Sequence, residues 1–343
     1  MNSHIGPPRV TALEAKSLAQ WIAFSPFIFQ ATVVMRDRGL LASVDAAGEA
    51  GIDAELLATQ TGLSRYGVGV LLDFSVDIGL IDQVGDRYTL AKTGYFILND
   101  EMTKVNMDFT RDVCYEALAS LDDSLSDGKP RGLVALGDWE NLYDGLTSLP
   151  GPASESWFRF DHFYSDRVFE EFLTIVFSSE VNEILDVGGN TGRWAKKCFA
   201  HDPNVKVTIM DLSQQLEVAA KDIKAAGYSE RFNSYAFDVL RDDGAYYKGA
   251  DVIWMSQFLD CFSEQEILKI LSHAVEVMNQ DTVLYIIELF WDRQKYDAAR
   301  FSLNATSLYF TCVANGKSRM YHSETLRALI DQSGLVVEQD TDD

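Results

Sequence analysis

Basic side chains are scarce in this chain of 343 residues: 29 Lys and Arg face 52 Asp and Glu, a formal net charge of −23. A surface of that sign repels the phosphate backbone that nucleic-acid binders must neutralise, so DNA and RNA are not expected partners. Cysteine is rarer still. Cys114, Cys198, Cys261 and Cys312 are widely scattered, with no C-x-x-C pair and no histidine at metal-ligand spacing, which argues against a disulfide framework and a metal site. No apolar run approaches ~18 residues, and no basic segment precedes an apolar stretch near the start. Neither a membrane span nor a secretory leader is indicated, and a cytoplasmic protein with reduced thiols is expected. The length suits two domains, since single cores stop growing near ~250 to 300 residues.

What the chain does contain is the outline of a ligand pocket. Glu183-Ile-Leu-Asp-Val-Gly-Gly-Asn-Thr-Gly192 reads as a buried strand and a glycine turn, and Val207-Thr-Ile-Met-Asp211 as a second strand ending in an acid. Gly188, Gly189 and Gly192 let the backbone turn tightly and approach a ligand that a Cβ would block. Asp211 lies nineteen residues past Gly192, at the tip of the neighbouring strand, where a carboxylate can accept both hydroxyls of a ribose. The turn reads G-G-x-T-G rather than G-x-G-x-x-G. It offers less of a pyrophosphate cradle and points to a nucleoside without phosphates.

Downstream, helices over 214–226 and 264–278 alternate with strands over 232–237, 251–254 and 282–289. This is an α/β pattern: a doubly wound, mostly parallel, Rossmann-like sheet with helices on both faces and ligands beyond the carboxyl ends of its strands. Asp211, Asp238, Asp260 and Glu288 all fall at or past such ends, so four carboxylates are expected to ring one cleft.

Upstream, Trp21, Phe24, Phe27, Ile28, Ala31, Val34 and Met35 recur at helical steps and form an aromatic face for a core or a partner helix. Asp53 and Ser64 each open a short helix, and the runs 80–84 and 87–90 form a hairpin around Gly85-Asp86. The order is that of a winged helix. Its would-be recognition helix, 64–77, carries only Arg65, too little for phosphate contact and base readout, so a folding or dimerisation module is expected. The domain division is 1–105 for this winged-helix domain, 106–175 for a helical bridge and substrate-pocket region, and 176–343 for the cofactor domain. Within the bridge, Trp157-Phe-Arg-Phe-Asp-His-Phe-Tyr164 carries five aromatics and His162, a helix between domains or a roof for a flat ligand such as adenine. His4, His201, His273 and His322 read as peripheral.

With this module in front, and LDVGGNTG, Met-Asp211-Leu and Phe-Asp238-Val behind it, the chain resembles the S-adenosylmethionine-dependent O-methyltransferases of the caffeate and hydroxyindole type. The resemblance covers nearly the full length. It implies S-adenosyl-L-methionine as cofactor, a homodimer formed through the N-terminal domain, and a small hydroxylated, aromatic acceptor. Carried over by position, Gly188, Gly189 and Gly192 border the amino-acid part of the cofactor and Asp211, with Leu212 beside it, holds the ribose. Asp238 and Val239 flank the adenine, Ser256 touches the cofactor, and Tyr164 packs on it from the upstream helix.

The resemblance also exposes departures. The family takes the acceptor's proton with a histidine in an L-H-D-W motif, and here that position holds Asp260 within Ser256-Gln-Phe-Leu-Asp-Cys-Phe-Ser-Glu264. An ordinary Asp, near pKa ~4 against ~10 for a phenol, is a poor match as acceptor. The glutamate that orients that histidine is replaced by Ser318 in Asn315-Gly-Lys-Ser-Arg319, and His162, Tyr164 and Glu288 remain as alternative bases. The family's final hairpin has no counterpart after Gly334, which implies a shortened chain or an open sheet edge. Methyl transfer to carbon or nitrogen, non-methylating chemistry, a catalytically inactive binding partner and a winged-helix metabolite sensor stand as rival readings.

Overall fold

The computed structural model describes residues 10–342, which leaves His4 outside the description. The chain divides into two compact units, Met1–Asp108 and Phe109–Asp343, and residues 109–175 belong to the second unit rather than standing apart.

The first unit is helical. Helices α1 (Ala12–Ala23), α2 (Ser25–Asp37), α3 (Leu40–Ala46), α4 (Ala54–Thr61) and α5 (Arg65–Asp77) precede an antiparallel hairpin, β1 (Ile81–Val84) with β2 (Arg87–Leu90). Helices α6 (Lys92–Asn99) and α7 (Glu101–Phe109) follow. Asp53 and Ser64 cap α4 and α5 by accepting from the backbone N–H groups of Leu56 and Gly67, as their spacing implies. Met35, Leu40, Leu41, Val44, Leu57, Val68, Leu72 and Ile81 close the core. Pro26 breaks the aromatic stretch into α1 and α2, and α1 buries none of its residues. Trp21, Phe24 and Phe27 are exposed at 46%, 53% and 63%. Among the described residues no single helix is long and apolar enough to cross a membrane, although α1 and α2 together, bent by 59°, reach that length.

The second unit carries α8 (Leu121–Asp127), the single-turn α9 (Leu142–Gly145) and the long α10 (Gly151–Val176) ahead of the sheet. Strands β3 (Glu183–Val187), β4 (Lys206–Asp211), β5 (Phe232–Ala236), β6 (Val252–Ser256) and β7 (Val283–Ile287) pair in parallel in the order β5-β4-β3-β6-β7. Helices α11 (Arg193–His201), α12 (Ser213–Ala225) and α13 (Glu264–Val277) make the crossovers, with α14 (Asp297–Tyr309) and α15 (Ser323–Gln332) after the sheet. Alternation along the strands divides the core. Ile184, Val207 and Ile209 face α10, α11 and α12, while Leu185, Val187 and Met210 face α13 and α15. Strand order reverses beside β3, and that switch point opens a crevice above its carboxyl end.

Candidate active site

The crevice is a cavity of about 710 Å³ within the second unit. Its floor is the glycine turn. Gly188 has φ +72°, and a Cβ there would meet the Phe258 ring at 2.3 Å. Gly189 packs on Asp186, whose Oδ2 would lie 2.5 Å from an added Cβ. Gly192, at φ +71°, does not line the cavity: its absent Cβ would strike Ile223 and Ile209, so that glycine serves helix-on-sheet packing.

Asp211, at the end of β4, accepts from the backbone N–H of Asn190 at 2.9 Å and of Leu212 at 2.7 Å. Burial pushes its carboxyl up to about 6, and the two N–H donors oppose the shift. Leu212, Asp238, Val239 and Ser256 also line the cavity. Asp238 is committed to its own turn through the N–H groups of Leu240 and Arg241 at 2.9 and 3.1 Å. Arg241 then reaches Asp144 at 3.1 Å and Glu140 at 3.4 Å, tying two walls of the cavity together.

Tyr164, Asp260 and Glu288 do not line this cavity. On α10 the lining positions are Trp157, Asp161, His162, Ser165 and Phe169, and the Tyr164 ring packs on Phe160 and Phe163. His162 Nε2 lies 3.3 Å from Thr191 Oγ1, and burial, aided by Arg193, holds its pKa down near 4. It is therefore neutral at physiological pH.

The four strand-end acids thus split into two pairs instead of ringing one cleft. Asp260 and Glu288 share a small separate crevice with Tyr321 and Leu326. Glu288 Oε1 accepts from the N–H groups of Phe258 at 3.0 Å and Leu259 at 2.7 Å, so it fastens the 3-10 turn Leu259–Cys261. That turn directs Asp260 inward, where it is 6% exposed and accepts from Cys261 Sγ at 3.4 Å. Cys261, one residue on, faces the cavity in its place. Ser318 does not reach Asp260: Asn315 Nδ2 bridges Ser318 Oγ at 2.9 Å and the Cys261 carbonyl at 2.8 Å.

The cavity wall fits a polar nucleoside. Asn190 Oδ1, both amide atoms of Gln215, Asp186 Oδ2 and Ser256 Oγ are buried there without partners among the described residues, a state that is rare unless a ligand or water completes it. Gln215 was detectable in the sequence, because it is polar at a core position of α12, in helical step with Ala219 and Ile223. Asn190, at φ +48° inside the turn, was legible as a turn residue but not as a ligand group. The cavity is also lined by the aromatic and apolar side chains of Leu133, Val134, Trp139, Tyr143, Trp157 and Phe262, with the charged Lys129, Arg131, Asp138 and Lys317 among the lining residues. Among the described residues no cluster could hold a metal ion.

Residues 164–335 match the O-methyltransferase domain family, half of the chain, and residues 16–88 match the Dimerisation2-like domain. The chain belongs to the O-methyltransferase family and is an S-adenosylmethionine-dependent methyltransferase. It is 26% identical to a 3-hydroxy-5-methyl-1-naphthoate 3-O-methyltransferase of Streptomyces sahachiroi over 265 residues, 76% of this chain and 74% of that one. A 3-amino-4-hydroxybenzoate 4-O-methyltransferase of Streptomyces cremeus is 23% identical over 322 residues, 91% of this chain and 83% of that one. Among solved structures, the mitomycin 7-O-methyltransferase MmcR is similar in fold, with a TM-score of 0.71 at 19% identity over 95% of this chain and 94% of that one. The methyltransferase SibL gives 0.70 at 23% identity over 93% and 92%.

Proposed function

We propose that this protein moves a methyl group from S-adenosylmethionine to a hydroxyl on a small aromatic acceptor and works as a homodimer. One observation carries the reading: a single cavity is lined both by the glycine turn with its orphaned hydrogen-bonding atoms and by a set of aromatic and apolar side chains. Its volume, within the ~300 to 1,000 Å³ of small-molecule sites, has room for a nucleoside beside a flat acceptor. In this reading Asp211 accepts the ribose hydroxyls, Gln215, Asp238 and Val239 surround the adenine, and Gly188, Gly189 and Ser256 border the remainder of the cofactor. The names of the two Streptomyces relatives, both acting on hydroxylated aromatic carboxylic acids, support the acceptor class. The exposed rings of α1 and α2 support the dimer, as does the match to the dimerisation family.

The cofactor, when bound, supplies an electrophilic methyl on a sulfonium. The chain's contribution is alignment: Trp139, Tyr143 and Trp157 confine a flat ring. Because Asp260 faces away from the cavity, no base stands at the family's histidine position. General-base assistance is worth ~10² to 10⁴-fold, so acceptors whose own hydroxyls ionise readily are favoured. The test is a transfer screen with labelled methyl over phenols and hydroxybenzoates of graded acidity. Label on an oxygen, with rates rising as the hydroxyl becomes more acidic, is the expected result; label on carbon or nitrogen alone would sink the reading.

A further inference from the structure

On α10, directly over the glycine turn, Asp161 presents a carboxylate to the cavity. Its Oδ2 accepts from Asn190 Nδ2 at 3.2 Å, and Oδ1 has no hydrogen-bond partner among the described residues. No cation among the described residues pairs with it. Arg193, whose charge acts on Asp161, is itself taken by Asp166, with Nε 2.8 Å from both carboxylate oxygens. An anion in such a place is costly unless something positive arrives to meet it.

Asn190 sharpens what that must be. A carboxylate can only accept, so the amide must turn Nδ2 towards Asp161, which leaves Asn190 Oδ1 buried and unpartnered on the same group. Asn190 Oδ1 and Asp161 Oδ1 are thus two acceptors beside the turn with no donor among the described residues. A carboxylate or phosphate is excluded from that spot, and a group bearing several N–H donors and positive charge fits it. We propose that Asp161, positioned by Asn190, binds the α-ammonium of the cofactor's amino-acid end. This rests on the cofactor reading above, and it separates the cavity's acids by role: Asp211 serves the ribose, Asp161 the ammonium.

The experiment is calorimetry on the full chain with two nucleosides, S-adenosylhomocysteine and 5′-methylthioadenosine, which shares the nucleoside but lacks the amino-acid end. For Asp161→Asn the affinity for S-adenosylhomocysteine should fall about 10- to 100-fold, the range of a charged hydrogen bond, with methylthioadenosine changed by less than about 2-fold. Asn190→Gly, which keeps the left-handed backbone available, should show a smaller loss with the same selectivity. It decides the matter if the Asp161 variant fails to fold. Equal losses for both nucleosides, or none for S-adenosylhomocysteine, would overturn the assignment while leaving the cofactor site intact. Wild-type protein that binds neither nucleoside would overturn the cofactor reading as well.

Discussion

Asp260 stands where the sequence resemblance expects a histidine, and its surroundings explain how it behaves. Burial pushes it up to about 6, and burial together with the Asp260 charge pushes Glu288 up well beyond an ordinary carboxyl. A buried acid whose folded pKa exceeds its unfolded value favours folding fully only below ~4, and that contribution is lost as pH rises through the folded value. Asp260→Asn should therefore stabilise the protein at pH 8 by about 1–3 kcal/mol, with the gain vanishing near pH 4, as melting curves across pH would record. Methyl transfer should stay within about 10-fold of wild type; a fall beyond about 100-fold, the low end of a lost base, would mean that Asp260 reaches the acceptor. The cavity acids behave in a related way. Burial and the charges of Asp260 and Asp166 hold Asp161 up to about 7, against Asn190 and Arg193, and burial holds Asp211 up to about 6. A cation at Asp161 and ribose hydroxyls at Asp211 both favour the ionised forms, so cofactor binding should release protons and tighten from pH 5.5 to 7.5. Calorimetry in two buffers of different ionisation heat measures the release directly; no difference between buffers would contradict it.

At the scale of elements, the glycine turn and α10 together build the polar wall. Gly188→Ala places a Cβ in a left-handed backbone and into the Phe258 ring. It should destabilise by about 1–3 kcal/mol and abolish nucleoside binding, read by melting temperature and calorimetry. Gly192→Ala meets Ile223 and Ile209 instead, so it should reduce stability with a smaller effect on affinity. Strand, turn and terminal acid were legible because a continuous apolar run, glycine and spacing leave direct marks in sequence. The roof was less so. Helical phase brings Asp161 and His162 over the turn and leaves Tyr164 among its aromatic neighbours, and a run of five aromatics hides that phase. The fate of Asp260 was not legible at all, since it depends on a 3-10 turn pinned by Glu288, nearly thirty residues away.

For the whole molecule, the exposed rings of α1 and α2 are the feature an isolated chain leaves unexplained. In a dimer they would be covered, and stable interfaces bury on the order of 1,200–2,000 Å². Light scattering behind size exclusion should report a dimer, and Phe27→Asp should shift it towards monomer; a monomeric wild type would remove the proposal. The charge of −23 bears at the same scale. It predicts no retained complex with duplex DNA in a gel shift even at low salt, whereas a salt-sensitive complex would revive the regulator reading.

The sequence by itself determined the parallel sheet, the helical module ahead of it, the glycine turn and Asp211, because each rests on periodicity, backbone permission or spacing, all local properties of a chain. Tertiary structure alone decided which carboxylates face the ligand. Asp161 gained the cavity through helical phase, and Asp260 lost it to a turn tied to Glu288. Both outcomes depend on where separate segments meet, which no single segment encodes.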